Sequence, residues 1–100
     1  MGEARSRILV AEDDPIVRQI IVDMLDMFNF ALIEAASGYE ALRLMDEFDG
    51  VDLLISDLNM PGMDGMKLAH HVRVFYPDTP ILFVSAWPSL LKTGSPPEPY

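Results

Sequence analysis

An α/β fold built on a parallel sheet with flanking helices is what this sequence predicts. Two observations carry the prediction. Short apolar runs alternate with segments whose apolar residues recur at helical spacing. Two of those runs, Ile8-Leu9-Val10-Ala11 and Val51-Asp52-Leu53-Leu54-Ile55-Ser56, close in carboxylates, Glu12-Asp13-Asp14 and Asp57 respectively. In open parallel sheets, ligands and chemistry collect at the carboxyl ends of the strands. Two strands that both end in carboxylates make an acidic pocket, and such a pocket calls for a divalent cation.

Each element has a local reason. Ile8 to Ala11 is the first strand. Asp14 can cap the next helix, and Pro15 suits a first turn, where no amide donor is required. Ile16, Ile20, Met24 and Val17, Ile21, Leu25 then recur at helical spacing through about Phe28. Phe30 to Ala35 reads as the second strand. Ser37-Gly38-Tyr39-Glu40 has capping-box spacing and opens a helix through Ala41, Leu42, Leu44, Met45 and Phe48. Leu53 to Ser56 is the third strand. Asp64-Gly65 reads as a turn and cap before a third helix from Met66 to Phe75, with Leu68, Ala69, Val72 and Phe75 inward. Pro77-Asp78-Thr79-Pro80 is a connecting loop, and Ile81 to Ser85 is the fourth strand.

After Ser85 the alternation stops. Fifteen residues remain, among them Pro88, Pro96, Pro97 and Pro99. A parallel crossover takes about a dozen residues and a following strand about five more. The expected organisation is therefore an incomplete domain over residues 1–87, without a fifth βα unit, and a Pro-rich tail over 88–100.

Composition narrows the function. Half of the 100 residues are apolar and 23 % are charged, a globular balance sized for one domain. Sixteen Asp and Glu against seven Lys and Arg give a formal net charge of −9. That argues against direct nucleic-acid binding, which needs a basic footprint, and suits a partner with a basic face. The absence of cysteine excludes disulfides, thiolate chemistry and Cys-based zinc sites. Met1 to Arg7 has no secretory pattern, and Ile81 to Ala86 is far too short to span a membrane. A cytoplasmic location is expected.

With these motifs the chain resembles a response-regulator receiver domain, the phospho-accepting half of two-component signalling. The resemblance runs from about Arg7 to Ala86. Its motifs are Ile8 through Asp14, Ala36-Ser37-Gly38-Tyr39-Glu40-Ala41-Leu42, Asp57 through Gly65, and Thr79 through Ala86. It implies a flavodoxin-like sheet, with the family's order 2-1-3-4-5 reduced to 2-1-3-4. By resemblance, Asp57 is the phosphorylated carboxylate, and Glu12 and Asp13 are the acidic pair that holds Mg2+ with it. Asn59 stands where a backbone carbonyl completes the metal shell. Ser85 stands where a hydroxyl engages the phosphoryl group, and Pro61 and Gly65 shape the loop over the site. The implied partner is a sensor histidine kinase or a histidine phosphotransfer protein. The family acts on itself, so the chain is not expected to be an enzyme in the ordinary sense.

Elementary electrostatics supports the same assignment. Without a cation, the carboxylates of Glu12, Asp13 and Asp57 would repel and raise one another's pKa. Magnesium suits two carboxylates plus a carbonyl and can bind an incoming phosphoryl oxygen. The chain also departs from the family. Neither Lys67 nor Lys92 matches the family's fifth-strand lysine, the aromatic of that strand is missing, and Glu12 is one methylene longer than the commoner Asp.

Plainer readings compete for single residues. Asp13 and Asp14 suit a helix cap and first turn, and Asp57 before Pro61-Gly62 suits a turn. His70 and His71 lack acidic ligands at matching spacing, and the seven Met residues need no cofactor. Trp87 suits either the mouth of the site or the sheet edge. The alternative function is a truncated, phosphorylation-deficient receiver serving as a protein-binding or dimerisation module. A phospho-aspartate hydrolase would want an acid two residues after the nucleophile, where this chain has Asn59. An apolar, uncharged fourth strand at the sheet edge predicts a homodimer joined through that edge or the carboxyl-terminal segment.

Overall fold

The elements follow one another in the order the periodicity predicts: β1 (Arg7–Ala11), α1 (Pro15–Asp26), β2 (Ala31–Ala35), α2 (Gly38–Glu47), β3 (Leu53–Asp57), α3 (Gly65–Phe75) and β4 (Ile81–Val84). This is a computed structural model, and it describes residues 5–84. All strand pairs are parallel, in the order β2-β1-β3-β4. That is the expected flavodoxin-like arrangement. Ser85, Ala86, Trp87 and the tail lie outside the described residues.

Burial on both faces explains the near-continuous apolar strands. Leu9, Ala11, Ala35 and Leu54 turn to one side and pack with Ala41 and Met45 of α2 and Leu68 and Val72 of α3. Ile8, Val10 and Ile55 turn to the other side, where Ile21, Val22 and Leu25 of α1 cover them. Register positions the site. Ala11 pairs with Ser56, so Glu12, just past β1, and Asp57, the last residue of β3, stand side by side.

The helix starts follow their caps. Asp14 Oδ1 accepts the Ile16 amide at 2.9 Å, with Pro15 opening α1. Ser37 Oγ accepts the Glu40 amide at 3.0 Å, but Glu40 reaches one residue further back than a capping box requires, to the Ala36 amide at 2.7 Å. Asp64 Oδ1 accepts the Lys67 amide at 2.9 Å, so α3 begins at Gly65, one residue earlier than expected.

The structure selects between the two apolar rows of α1 and corrects one expectation on α3. Of the two apolar rows on α1, Val17, Ile21 and Leu25 are half-buried, whereas Ile16, Ile20 and Met24 are exposed. A helix laid on one sheet face buries a single stripe, so the second row stays in water. Phe75 is also not an inward residue of α3; it is 70 % exposed. The helix ends there, and Tyr76, at φ −137° and ψ 67°, turns back to pack on the core in its place.

Candidate functional site

Asp57 is the last residue of β3 and is buried, with 3 % of its surface exposed. Its Oδ1 accepts the Asn59 amide at 3.1 Å, which draws the chain around the carboxylate as it leaves the sheet. Glu12, the first residue after β1, is equally buried. Its amide donates to the Ala35 carbonyl at 3.0 Å, and its Oε2 accepts the Asp14 amide at 3.0 Å. Asp13, between the two, is exposed to solvent. Carboxylate oxygens of Glu12, Asp13 and Asp57 lie within 4.8 Å of one another.

The loop over this cluster is held by small and apolar residues. Gly62 has φ 82°, a left-handed conformation that favours glycine. Gly65 packs on the backbone of β3: a Cβ there would lie 2.8 Å from Leu58 Cα and press on the Asp57 carbonyl. The Gly65 amide donates to Leu58 O at 3.0 Å, which closes the loop. Met60 and Met63 are buried beneath it, and Met63 fills the space where Gly38 of α2 has no side chain. Pro61 lies at the loop's start and its carbonyl accepts the Met63 amide at 3.0 Å.

The sequence-predicted residues thus divide. Glu12, Asp13 and Asp57 come together, Asn59 is bonded to Asp57 through its main chain, and Ser85 lies outside the described residues. Two further residues bear on the site without any motif to mark them. Arg18 donates from Nη1 to the Glu12 carbonyl at 2.7 Å, and Met63 joins the loop to α2. A lone basic residue four positions after a capping Asp was the available signal for Arg18; Met63 had none beyond being apolar in a turn. His70 and His71 are exposed, and among the described residues they join no group able to hold a metal ion.

The donor set suits a hard cation. Three carboxylates offer oxygen ligands at short mutual distance, two of them withdrawn from water, and no soft ligand is among them. Without such an ion the charges oppose one another. Burial pushes the Glu12 carboxyl up to about 7 from 4.5, although the Asp14 amide pulls it back down. The Asp57 charge and hydrogen bonds to Asp13 and Asp57 contribute to the same rise. A cation reverses that penalty.

The shift has a signed consequence for the metal-free protein. A carboxyl whose folded pKa is raised binds more protons folded than unfolded, so its contribution to stability falls as pH rises from 4.5 to about 7. Glu12→Gln removes the ionisation and keeps an acceptor for the Asp14 amide. In EDTA at pH 8 the variant is expected to be more stable than the wild type, by on the order of 3 kcal/mol at most for a shift of that size. At pH 4.5 the difference should largely vanish. Thermal melts at the two pH values measure it, and equal midpoints at pH 8 would contradict the crowding argument.

Known proteins share both sequence and fold with this chain. The family described as response regulator receiver domain matches residues 8–93. Sensor kinase CckA of Brucella abortus is 38 % identical over 103 residues, covering 93 % of this chain and 11 % of its own length. Two-component response regulator ARR11 of Arabidopsis thaliana is 42 % identical over 80 residues, 79 % of this chain and 15 % of its own. The chain therefore spans less than a quarter of these relatives. Among solved structures, Vibrio cholerae chemotaxis protein CheY4 superimposes with a TM-score of 0.76 at 32 % identity, covering 91 % of this chain and 78 % of its own. Response regulator TrrA of Thermotoga maritima, in complex with Mg(2+)-BeF, does so with a TM-score of 0.74 at 32 % identity, covering 87 % and 75 %. With its parallel sheet in the order 2-1-3-4 and this match across most of its length, the chain belongs to the response regulator receiver domain family.

Proposed function

We propose that this domain accepts a phosphoryl group on Asp57 in a magnesium-dependent reaction. The observation that carries the reading is the convergence of the Glu12, Asp13 and Asp57 carboxylates within 4.8 Å at the ends of β1 and β3. Those three residues, with the main-chain carbonyl of Asn59, are the ones that would hold Mg2+. The ion supplies positive charge where the acceptor carboxylate and the phosphoryl oxygens would otherwise repel. An oxygen of Asp57 forms the new P–O bond as the N–P bond of a phosphohistidine breaks, and the imidazole leaves. Ser85 supplies a hydroxyl to a phosphoryl oxygen. The chain is an acceptor rather than a turnover enzyme.

The donor is a sensor histidine kinase or a histidine phosphotransfer protein, which fits the sensor kinases among the relatives. A net charge of −9 favours a donor with a basic face over nucleic acid. No described helix is long and apolar enough to cross a membrane, and a cytoplasmic location fits this reading. Self-association through β4 or the carboxyl-terminal segment belongs to it too, because the apolar Leu82 on β4 is 52 % exposed.

Acetyl phosphate tests the chemistry. One phosphoryl group is expected by mass spectrometry, on Asp57, with magnesium and not with EDTA, and none in Asp57→Asn. An acyl phosphate on another carboxylate, or none under any condition, rules the reading out. Light scattering tests the assembly: two chains per particle are expected at high micromolar concentration, and a monodisperse monomer there would remove the dimer.

A further inference from the structure

We propose that Arg18 is a positioning residue for the acidic site, fixing the peptide that joins Glu12 to Asp13 and so the placement of both carboxylates. The inference rests on the reading of Glu12, Asp13 and Asp57 as a magnesium site. Arg18 lies in the second turn of α1, where its amide donates to Asp14 O at 2.9 Å. Its guanidinium reaches the β1–α1 connection and β2. Nη1 donates to the Glu12 carbonyl at 2.7 Å, and Nε donates to Glu34 Oε1 on β2 at 3.2 Å. The Arg18 side chain is 19 % exposed, against 45 % for Glu34, so the cation is the better-buried half of the pair.

The contact acts on geometry through the planarity of the peptide. The Glu12 carbonyl and the Asp13 amide share one rigid plane. A donor that fixes that carbonyl fixes the direction in which the Asp13 Cα departs. Asp13 is exposed, so side-chain packing contributes little to its placement. Glu12 is held on its other side by the Ala35 carbonyl, and its side chain by the Asp14 amide. Removing the guanidinium leaves Glu12 held through its own amide and its side chain, and takes the charged donor from the carbonyl that sets the 12–13 peptide plane. A charged donor to a carbonyl is also about twice as strong as a neutral one, so water is a poor replacement. Groups that orient ligands in this way commonly change metal affinity ten- to a hundredfold.

Arg43 provides a contrast. It pairs with Glu40 at 3.6 Å and Glu47 at 3.1 Å along α2, and is 61 % exposed. It is the kind of surface ion pair that contributes little.

Calorimetric titration of Mg2+ into the full chain separates the two roles, at a temperature where circular dichroism shows every variant folded. Arg18→Ala is expected to weaken binding about tenfold or more. Arg18→Lys, with one cationic donor, should recover part of the loss, and Arg43→Ala should match the wild type. A metal-free readout accompanies it, because the Asp14 amide reports on Glu12 through their hydrogen bond. Its hydrogen exchange should speed up in Arg18→Ala while the amides of Leu54 and Ile55 keep their protection. Wild-type affinity in folded Arg18→Ala overturns the proposal. Should the wild type bind no magnesium, the site reading fails, and unchanged Asp14 exchange then overturns the Arg18 proposal as well. If Arg18→Ala does not fold, Glu34→Ala replaces it: a smaller loss of affinity is expected, and none overturns the proposal.

Discussion

The organising constraint in this domain is the placing of like charges at the ends of adjacent parallel strands. Because Ala11 pairs with Ser56, Glu12 and Asp57 emerge next to each other, and both are almost fully removed from water. A slip of one residue would send one of them to the opposite face of the sheet. The apolar alternation of β1 and β3 forbids that slip, since Leu9 and Leu54 are committed to one core and Val10 and Ile55 to the other. Core packing therefore holds together charges that would separate if free. Glu12, its carboxyl pushed up to about 7 by burial first and by the Asp57 charge after it, registers the cost of keeping the cluster out of water.

Much of the remaining structure follows from keeping that cluster fixed. The loop after β3 has to turn as it leaves the sheet while its Asn59 amide stays on the Asp57 carboxylate. Gly65 permits this by lying against the strand's backbone, while Met60 and Met63 anchor the loop from below. Gly38 opens α2 where Met63 needs room, so the second helix and the loop are fitted to each other. Asp14 caps α1 and gives its own amide to Glu12, which ties the helix start to the site.

The fold was legible in the sequence because its signals are local. Apolar runs of strand length, Pro15 after a capping Asp, and the Ser37–Glu40 spacing each report a structure made within a few residues. Glu12, Asp13 and Asp57 were legible for a similar reason: each ends an apolar run, and strand ends in parallel sheets are where sites form. What escaped depends on packing between distant segments. Two apolar rows on α1 look alike in sequence, and only the sheet selects Val17, Ile21 and Leu25 over Ile16, Ile20 and Met24. Phe75 and Tyr76 exchange roles because the helix ends between them, a one-residue matter that periodicity does not resolve. Arg18 joins α1 to Glu12 after β1 and to Glu34 on β2, and its standing as the lone basic residue of the helix names neither partner.

Manganese provides the most direct test of the claim that Glu12, Asp13 and Asp57 form a divalent-cation site. Its unpaired electrons broaden nearby nuclei, and it accepts the same oxygen ligands as magnesium. In a spectrum of the 15N-labelled protein, sub-stoichiometric Mn2+ should first erase the amides of Asp13, Asp14, Asp57, Leu58 and Asn59. Excess magnesium should restore them. Broadening spread over the exposed acids Asp23, Asp26, Glu47 and Asp49, with those five amides unaffected, would contradict the account.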